Sequence, residues 1–390
     1  MTDTQVAIVG AGPAGLLLSH LLAHAGIESI VVDSRSRHDI ESTVRAGLLE
    51  HGTVQVLVDS GASDRVLVEG QRHGGIELLF GGRGHRIDFA ELVDRGVWLY
   101  PQHEVLKDLV AARLSAGQDL RFETAVTDVD SVDSDVSIRT IGADGSPGRL
   151  TADFVVGADG SRSVVRAAVC GSVTSGCFRE YPFAWFGILC EAPRSSEELI
   201  YSNSPHGFAL ITQRSSTVQR MYLQCDPDLD SDALSDEEIW GQLRERVAPH
   251  ELIEGRIFQR DVLRFRSFVA DRLRRGRVAL AGDAAHTVPP TGAKGLNLAV
   301  ADVVVLTHAL TALLRDRDQS LIDAYEETVS GRIWKAQHFS WWMTQMLHTA
   351  TDASAFDQRR QLGELQTVVD SESGRRYLAE AYTGWPMPEL

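Results

Sequence analysis

A turn of Gly10-Ala11-Gly12-Pro13-Ala14-Gly15 stands between an apolar run at residues 5–9 and a second at residues 14–25. Glycines at that spacing let the backbone bend sharply and come close to a ligand. A helix starting there turns its free N–H groups toward negative charge. With a further strand at residues 29–33 the segment reads as a βαβ opening, the setting of a dinucleotide-binding fold. Asp33 closes that second strand, where an acid can accept hydrogen bonds from ribose hydroxyls. By itself the turn predicts a dinucleotide without separating FAD from NAD, and a plain βα connection with a solvated aspartate would look similar.

Two later loops narrow the choice. Gly157-Ala158-Asp159-Gly160 follows a short apolar strand at 154–157 and is trailed by Arg162 and Arg166. A turn in which Asp159 caps the next helix has the same pattern. The run from Gly282 to Asn297 packs Asp283, Pro289, Pro290, Lys294 and three glycines into one loop ahead of an apolar helix starting near 296. Amides at Leu296 and Asn297 would there face negative charge. A proline-rich surface loop explains neither the length of this pattern nor its placement.

The 390 residues suffice for two or three domains, with 43% hydrophobic and 24% charged residues, as in ordinary globular proteins. A net charge of −16 argues against nucleic acid and anionic membrane as partners. No apolar run reaches the roughly 18 residues of a membrane span, and the N-terminus enters a strand without a secretory leader. Cys170, Cys177, Cys190 and Cys225 lack metal-ligand spacing and read as reduced thiols of a cytoplasmic protein, so no metal is expected. Hydrophobic patterning predicts a helix at 44–60, hairpin strands at 74–88, a helix at 103–116, strands at 120–140 and 183–225, a helix at 235–247, a strand at 277–281 and a helical tail from 322. The expected class is α/β (α+β). A Rossmann-like nucleotide domain (1–72, 98–180, 269–320) would carry an inserted mixed-sheet substrate domain (73–97, 181–268) and a helical C-terminal part (321–390).

The three loops, in that order, resemble the class A flavin-dependent aromatic hydroxylases, and the likeness extends over nearly the whole chain. It implies FAD, held by Gly10, Gly12, Pro13, Ala14, Gly15 and Asp33 at the first loop and by Val44, Arg45, Gly47, Leu48 and Gln102 beyond it. Asp159, Arg220, Asp283, Gly295, Leu296 and Asn297 complete that set. Ala14 stands where the family often has a hydroxyl residue.

The same likeness implies hydroxylation of 4-hydroxybenzoate at position 3, giving 3,4-dihydroxybenzoate, with O2 and NADH or NADPH as co-substrates. The oxygen donor is the family's flavin C4a-hydroperoxide, an electrophile that favours a phenolate ring. Alternatives are the same reaction on a ring-substituted or 4-amino benzoate, or a flavin reductase or oxidase that inserts no oxygen.

In the pocket, Arg214 would pair with the carboxylate, helped by Thr212, Gln213 and Tyr222. Tyr201, Tyr382 and the Pro290 carbonyl, with Thr291 beside it, would hold and deprotonate the phenol, passing the proton to His73. Trp185, Leu199, Leu210 and Leu48 match wall positions. Arg35, Arg37, Arg45, Arg162 and Arg266 would meet the pyridine nucleotide, while Ser34 and Asp39 at the selecting helix favour NADH or dual use. Family members are commonly homodimers.

Overall fold

The computed structural model describes residues 2–43, 47–133, 136–350 and 353–388. Its first sheet grows outward from the glycine turn. Thr4–Val9 pairs in parallel with Ser29–Val32 on one side and with Pro147–Gly157 on the other, and Val278–Leu280 extends the parallel run beyond it. Val6, Ala7 and Ile8 are all fully buried. Such a run, without polar alternation, is what a parallel strand covered on both faces requires. Pro13–His24 covers one face and packs against Gln102–Ser115 and Lys294–Thr311.

Register decides where the loops go. Val9 lies opposite Gly157, and Gly157 opposite Leu280. The three glycine loops therefore leave the same edge of the sheet, at the carboxyl ends of adjacent strands. That edge is the binding crevice of an open α/β sheet.

The second sheet is mainly antiparallel, in the order His286–Thr287, Arg256–Ala270, Gly176–Glu191, Val218–Cys225, Gly207–Gln213, Leu199–Ser204, Gly75–Phe80, Arg83–Asp88. Alternation along its strands gives it two apolar faces. Ile188, Ile200, Ile211, Met221 and Leu223 form one core with Ile239, Trp240, Leu243 and Val247 of the helix Asp236–Val247. That helix begins where Ser235 and Glu238 make a reciprocal capping box. The other face carries Leu199, Tyr201, Leu210, Trp185 and Tyr222 and packs under the C-terminal helices Tyr325–Leu347, Ala355–Asp370 and Glu372–Thr383.

Two expectations need correction. The helix expected over 44–60 is a strand, Leu48–Glu50, followed by a shorter helix, His51–Asp59; residues 44–46 lie outside the described set. Leu48–Glu50 pairs antiparallel with Val97–Leu99, a partner that helical periodicity cannot reveal. Gly47 fixes the junction, since a Cβ there would sit 2.0 Å from the Tyr100 carbonyl oxygen. The second correction concerns apolar length. Lys294–Asp316, 23 residues with mean hydropathy 1.7, is long and apolar enough to cross a membrane. Most of it is buried in the protein, so its apolarity serves the core between Pro13–His24 and Tyr325–Leu347.

Candidate active site

At the shared edge of the first sheet the backbone is shaped as a cradle. Gly10 has φ +107°, and a Cβ there would lie 2.3 Å from the Ala158 oxygen; one on Gly15 would lie 1.9 Å from the Gly10 oxygen. Those glycines let the first two loops and the helix pack together. Gly12 and Gly295 are different. Added Cβ atoms would meet nothing closer than 4.0 Å and 3.8 Å, so these two keep open the space that a ligand's backbone-hugging approach needs.

Asp159 closes the cradle from the second loop. One carboxylate oxygen accepts from the Val164 and Val165 amides at 2.7 and 3.4 Å, which is the capping role its sequence also allowed. The other oxygen, Oδ1, is buried and has no partner. Burial pushes the Asp159 carboxyl above its ordinary range. A hydroxyl-bearing ligand would answer that orphan oxygen. Arg166 ties the second loop to the third, donating to the carbonyls of Ala284 (2.7 Å) and Asp283 (3.1 Å) while lying over the Phe268 ring. From below, Asp302 accepts the Gly282 amide at 3.0 Å and His286 Nε2 lies 2.7 Å from the same oxygen.

The second sheet supplies the pocket. Tyr201, Leu210 and Tyr222 are directly opposite one another on three adjacent strands. Leu199, Thr212 and Arg220 lie two residues along those same strands, and so on the same face. The Trp185 ring lies 4.7 Å from that of Tyr222, and Trp185 Nε1 donates to His348 at 2.6 Å. Leu48 joins this cluster from the three-stranded sheet.

At one end, Tyr382 comes in from the last helix, 181 residues along the chain, to place its hydroxyl 2.7 Å from that of Tyr201. Both are buried, and burial raises both phenol pKa values, so each remains a neutral hydrogen-bonding group. At the other end Arg214 follows the strand Gly207–Gln213. Burial and neighbouring Arg220 bring its guanidinium down to about 10, still charged at neutral pH. Tyr222 is pushed up to about 12 by burial. A hydroxyl pair, a half-desolvated fork of N–H donors and apolar side chains gathered on one sheet are the groups that a planar phenolic acid needs.

A family model described as an FAD binding domain matches residues 3–340. A p-hydroxybenzoate hydroxylase from Acinetobacter baylyi is 39% identical over 387 residues, covering 98% of this chain and 96% of that protein. A 3-(3-hydroxy-phenyl)propionate/3-hydroxycinnamic acid hydroxylase from Mycobacterium avium is 27% identical over 83% of this chain and 58% of its own length. Among solved structures, p-nitrophenol 4-monooxygenase from Pseudomonas putida shares the fold, with TM-score 0.82 and 22% identity over 98% of each chain. The chain belongs to the class A flavin-dependent aromatic hydroxylases.

As a hydroxylase of this class it binds FAD, and the cradle fits that group: two open glycines, an orphan carboxylate oxygen and a helix N-terminus converge on it. Gly295 and Leu296 are the second and third residues of Lys294–Thr311, where amides have no intrahelical partner. Asp33 is more committed than its sequence suggests. It accepts from the Ala11 amide (2.7 Å), the Arg35 amide (2.8 Å) and the Arg35 guanidinium (3.0 and 2.9 Å). A ribose would reach that carboxylate once the Arg35 guanidinium swings aside. Gln102 opens the helix Gln102–Ser115. Pro13 and Ala14 open Pro13–His24, and Val44 and Arg45 lie outside the described residues.

Several pocket residues have partners that the sequence could not name. Gln213, expected at the substrate, sends its Nε2 to within 3.2 Å of His73 Nε2. His73 Nδ1 is buried without a partner, and burial with nearby Arg194 takes this histidine down to about 4, so the ring is neutral at pH 7. A small cleft joins His73 and Gln213 to Thr212, Glu198 and the half-exposed Arg194. The Pro290 carbonyl already accepts the Ala293 amide at 3.0 Å, leaving one lone pair, and Thr291 accepts from Thr344 at 3.0 Å. Asn297 spends its side chain on the Leu48 and Ala293 carbonyls and the Glu50 amide. It thereby anchors the strand that carries Leu48.

Beneath the tyrosine end lies an ion pair absent from the sequence expectations. Lys294 Nζ donates to Glu50 at 2.5 Å and to the Tyr382 carbonyl at 3.1 Å, with both charges almost fully buried. Their separation of 244 residues hides the pair from any local pattern. Arg220 pairs with Asp261 at 3.5 Å and lies over the Tyr222 ring, while its Nη1 is buried and unpartnered. Of the expected nucleotide arginines, Arg266 hydrogen-bonds Ser161 beside exposed Arg162, whereas Arg37 is paired with Glu41 on the short helix Arg37–Ser42.

Proposed function

We propose that this hydroxylase converts 4-hydroxybenzoate to 3,4-dihydroxybenzoate, consuming O2 and a reduced pyridine nucleotide. The observation that carries this reading is the buried 2.7 Å contact between the Tyr201 and Tyr382 hydroxyls, in a cluster whose Tyr222 neighbours Arg214. When bound, FAD would carry the reducing equivalents from the pyridine nucleotide to O2 and supply the oxygen transfer. The chain's own residues orient and activate the ring. Arg214 takes the carboxylate, with each charge-assisted bond contributing about 1.5–3 kcal/mol. Tyr222 and the Thr212 hydroxyl border that end.

The ring's hydroxyl then meets Tyr201. Its proton can pass along the Tyr201–Tyr382 pair because each phenol accepts one proton as it releases another, so neither ionises alone. His73, neutral and with an unpartnered Nδ1, lines the cleft beside Arg194 and would relay the proton to solvent. Ionising the substrate matters because an ordinary phenol titrates near 10, and the phenolate ring is far more electron-rich. The apolar walls exclude water while this occurs.

The nucleotide is NADH or both forms, with NADH favoured. Asp39 is locked into a capping box with Ser36, and Glu41 neutralises Arg37, so a 2′-phosphate would face carboxylates there.

NADH consumption by FAD-loaded protein, with and without 4-hydroxybenzoate, tests the whole reading. Strong stimulation with 3,4-dihydroxybenzoate as product is expected. Stimulation that yields only hydrogen peroxide, or none with either nucleotide, overturns it.

A further inference from the structure

Arg214 is held by a side chain outside the pocket sheet. It sits in the tight turn after Gly207–Gln213, where its amide donates to the Val218 carbonyl at 2.8 Å. Its Nη2 lies 3.1 Å from Nδ1 of His103, the second residue of Gln102–Ser115. A guanidinium only donates, so His103 Nδ1 must be the acceptor, and the ring is then neutral with its hydrogen on Nε2. Glu104 Oε1 lies 3.2 Å from that Nε2, so its negative charge favours the tautomer with the hydrogen on that nitrogen. Glu104 is itself held by Arg65 at 2.8 Å and Lys107 at 2.7 Å.

We propose that His103 is the positioning residue of Arg214: its imidazole holds the guanidinium toward the pocket only while Nδ1 carries no proton, which makes carboxylate binding weaken in acid. This rests on the reading of Arg214 as the carboxylate's partner.

The charged groups around the ring are Arg214 from the hairpin, Glu104 and Lys107 on its own helix, and Arg65 of the helix Arg65–Glu69 behind Glu104. Burial and the Arg214 charge hold His103 below the ordinary histidine value of 6.5, with Glu104 opposing them. At neutral pH the acceptor is therefore available. Once protonated, Nδ1–H would face a second cation across a hydrogen-bond distance, and the mobile partner is the arginine. The substrate carboxylate stays ionised above the ordinary carboxylate range, so a rise in Kd there reports the protein and not the ligand.

The test is titration of the FAD-loaded enzyme with 4-hydroxybenzoate, read by flavin absorbance, from about pH 5.5 to 8. In the wild type Kd should rise as pH falls. His103→Leu should raise Kd roughly 5- to 20-fold at neutral pH, the loss of one hydrogen bond to a charged group, and abolish the acid rise. His103→Asn offers a carbonyl that accepts at any pH. It should restore neutral binding yet show no acid rise, with kcat at saturation nearly unchanged. A His103→Leu enzyme with the wild-type Kd and pH profile overturns the proposal, as does His103→Asn binding as weakly as His103→Leu. Arg214→Met separates the two levels. If it weakens binding while the His103 variants do not, only the role of His103 fails; if it leaves Kd unchanged, the reading of Arg214 fails and takes His103 with it.

Discussion

The two ends of the pocket solve opposite electrostatic problems. The tyrosine end is dry and locally satisfied: two buried hydroxyls bond to each other, and the nearby Lys294 and Glu50 neutralise one another at 2.5 Å. At the arginine end Arg214 is half-buried, with the Arg220 guanidinium beside it. Arg214 leans on a neutral histidine, and Arg220 has one buried nitrogen without an acceptor and a carboxylate only at 3.5 Å. One end is built to pass a proton without ionising either tyrosine, the other to meet the charge that the ligand's carboxylate brings. Desolvation drives both. It costs a neutral phenol little, and it makes an incoming carboxylate valuable to an under-solvated guanidinium.

The most disruptive way to break this contrast is to put a net charge under the tyrosine end. Lys294→Met strands the buried Glu50 carboxylate, and a loss of about 3–5 kcal/mol in stability is expected by urea denaturation. Lys294→Met with Glu50→Gln should recover a good part of it; a single variant as stable as wild type would show that the pair is solvated in solution. At the arginine end, Arg214→Met removes the fork itself. Kd for 4-hydroxybenzoate should rise roughly 100-fold or more in a flavin titration, with the folding midpoint little changed.

Tyr201→Phe sharpens the comparison, because it should act on rate and not on affinity. A fall in kcat of about 10- to 100-fold is expected, as for loss of a proton-transfer group, with Kd within a few-fold; a large Kd effect and intact kcat would reverse the assignment of ends. The pH dependence of stability is a gentler probe of the aromatic side. His73 and His348 are buried and neutral, with pKa brought down to about 4 and about 3. Since the unfolded chain takes up protons near the ordinary 6.5, unfolding binds protons between there and about 4. Stability should be full above 6.5 and decline as pH falls through that window. Urea midpoints that stay flat from about pH 7 to 5 would contradict this. The smallest effect is expected from Asp261→Asn, a partly exposed partner at 3.5 Å, which should shift substrate affinity by less than about threefold.

Much of this was legible in the chain. The glycine turn after an apolar strand announced the first sheet, and Ser235 with Glu238 announced a helix start. Alternation through 199–223 predicted strands. The family likeness assigned Tyr201, Leu210 and Tyr222 to the pocket, and only the register between strands set them opposite one another. Periodicity failed at 48–50, where pairing with Val97–Leu99 overrides local preference, and it gave no sign of the contact between Gln213 and His73. No local signal marks His103, Glu50 or Asp261, because each acquires its meaning from a residue 111, 244 or 41 positions away.

By itself, then, the sequence determined the elements and the chemistry on offer: which loops must be glycine, which strands are buried on both faces, which residues can donate, accept or carry charge. Those properties follow from backbone sterics and hydrophobic period over a few residues. Tertiary structure alone decided that three distant loops share one sheet edge, that Tyr382 reaches Tyr201, and that Arg214 rests on a neutral histidine. Such contacts depend on register and packing between segments far apart in the chain, and burial then sets their protonation, which no local pattern encodes.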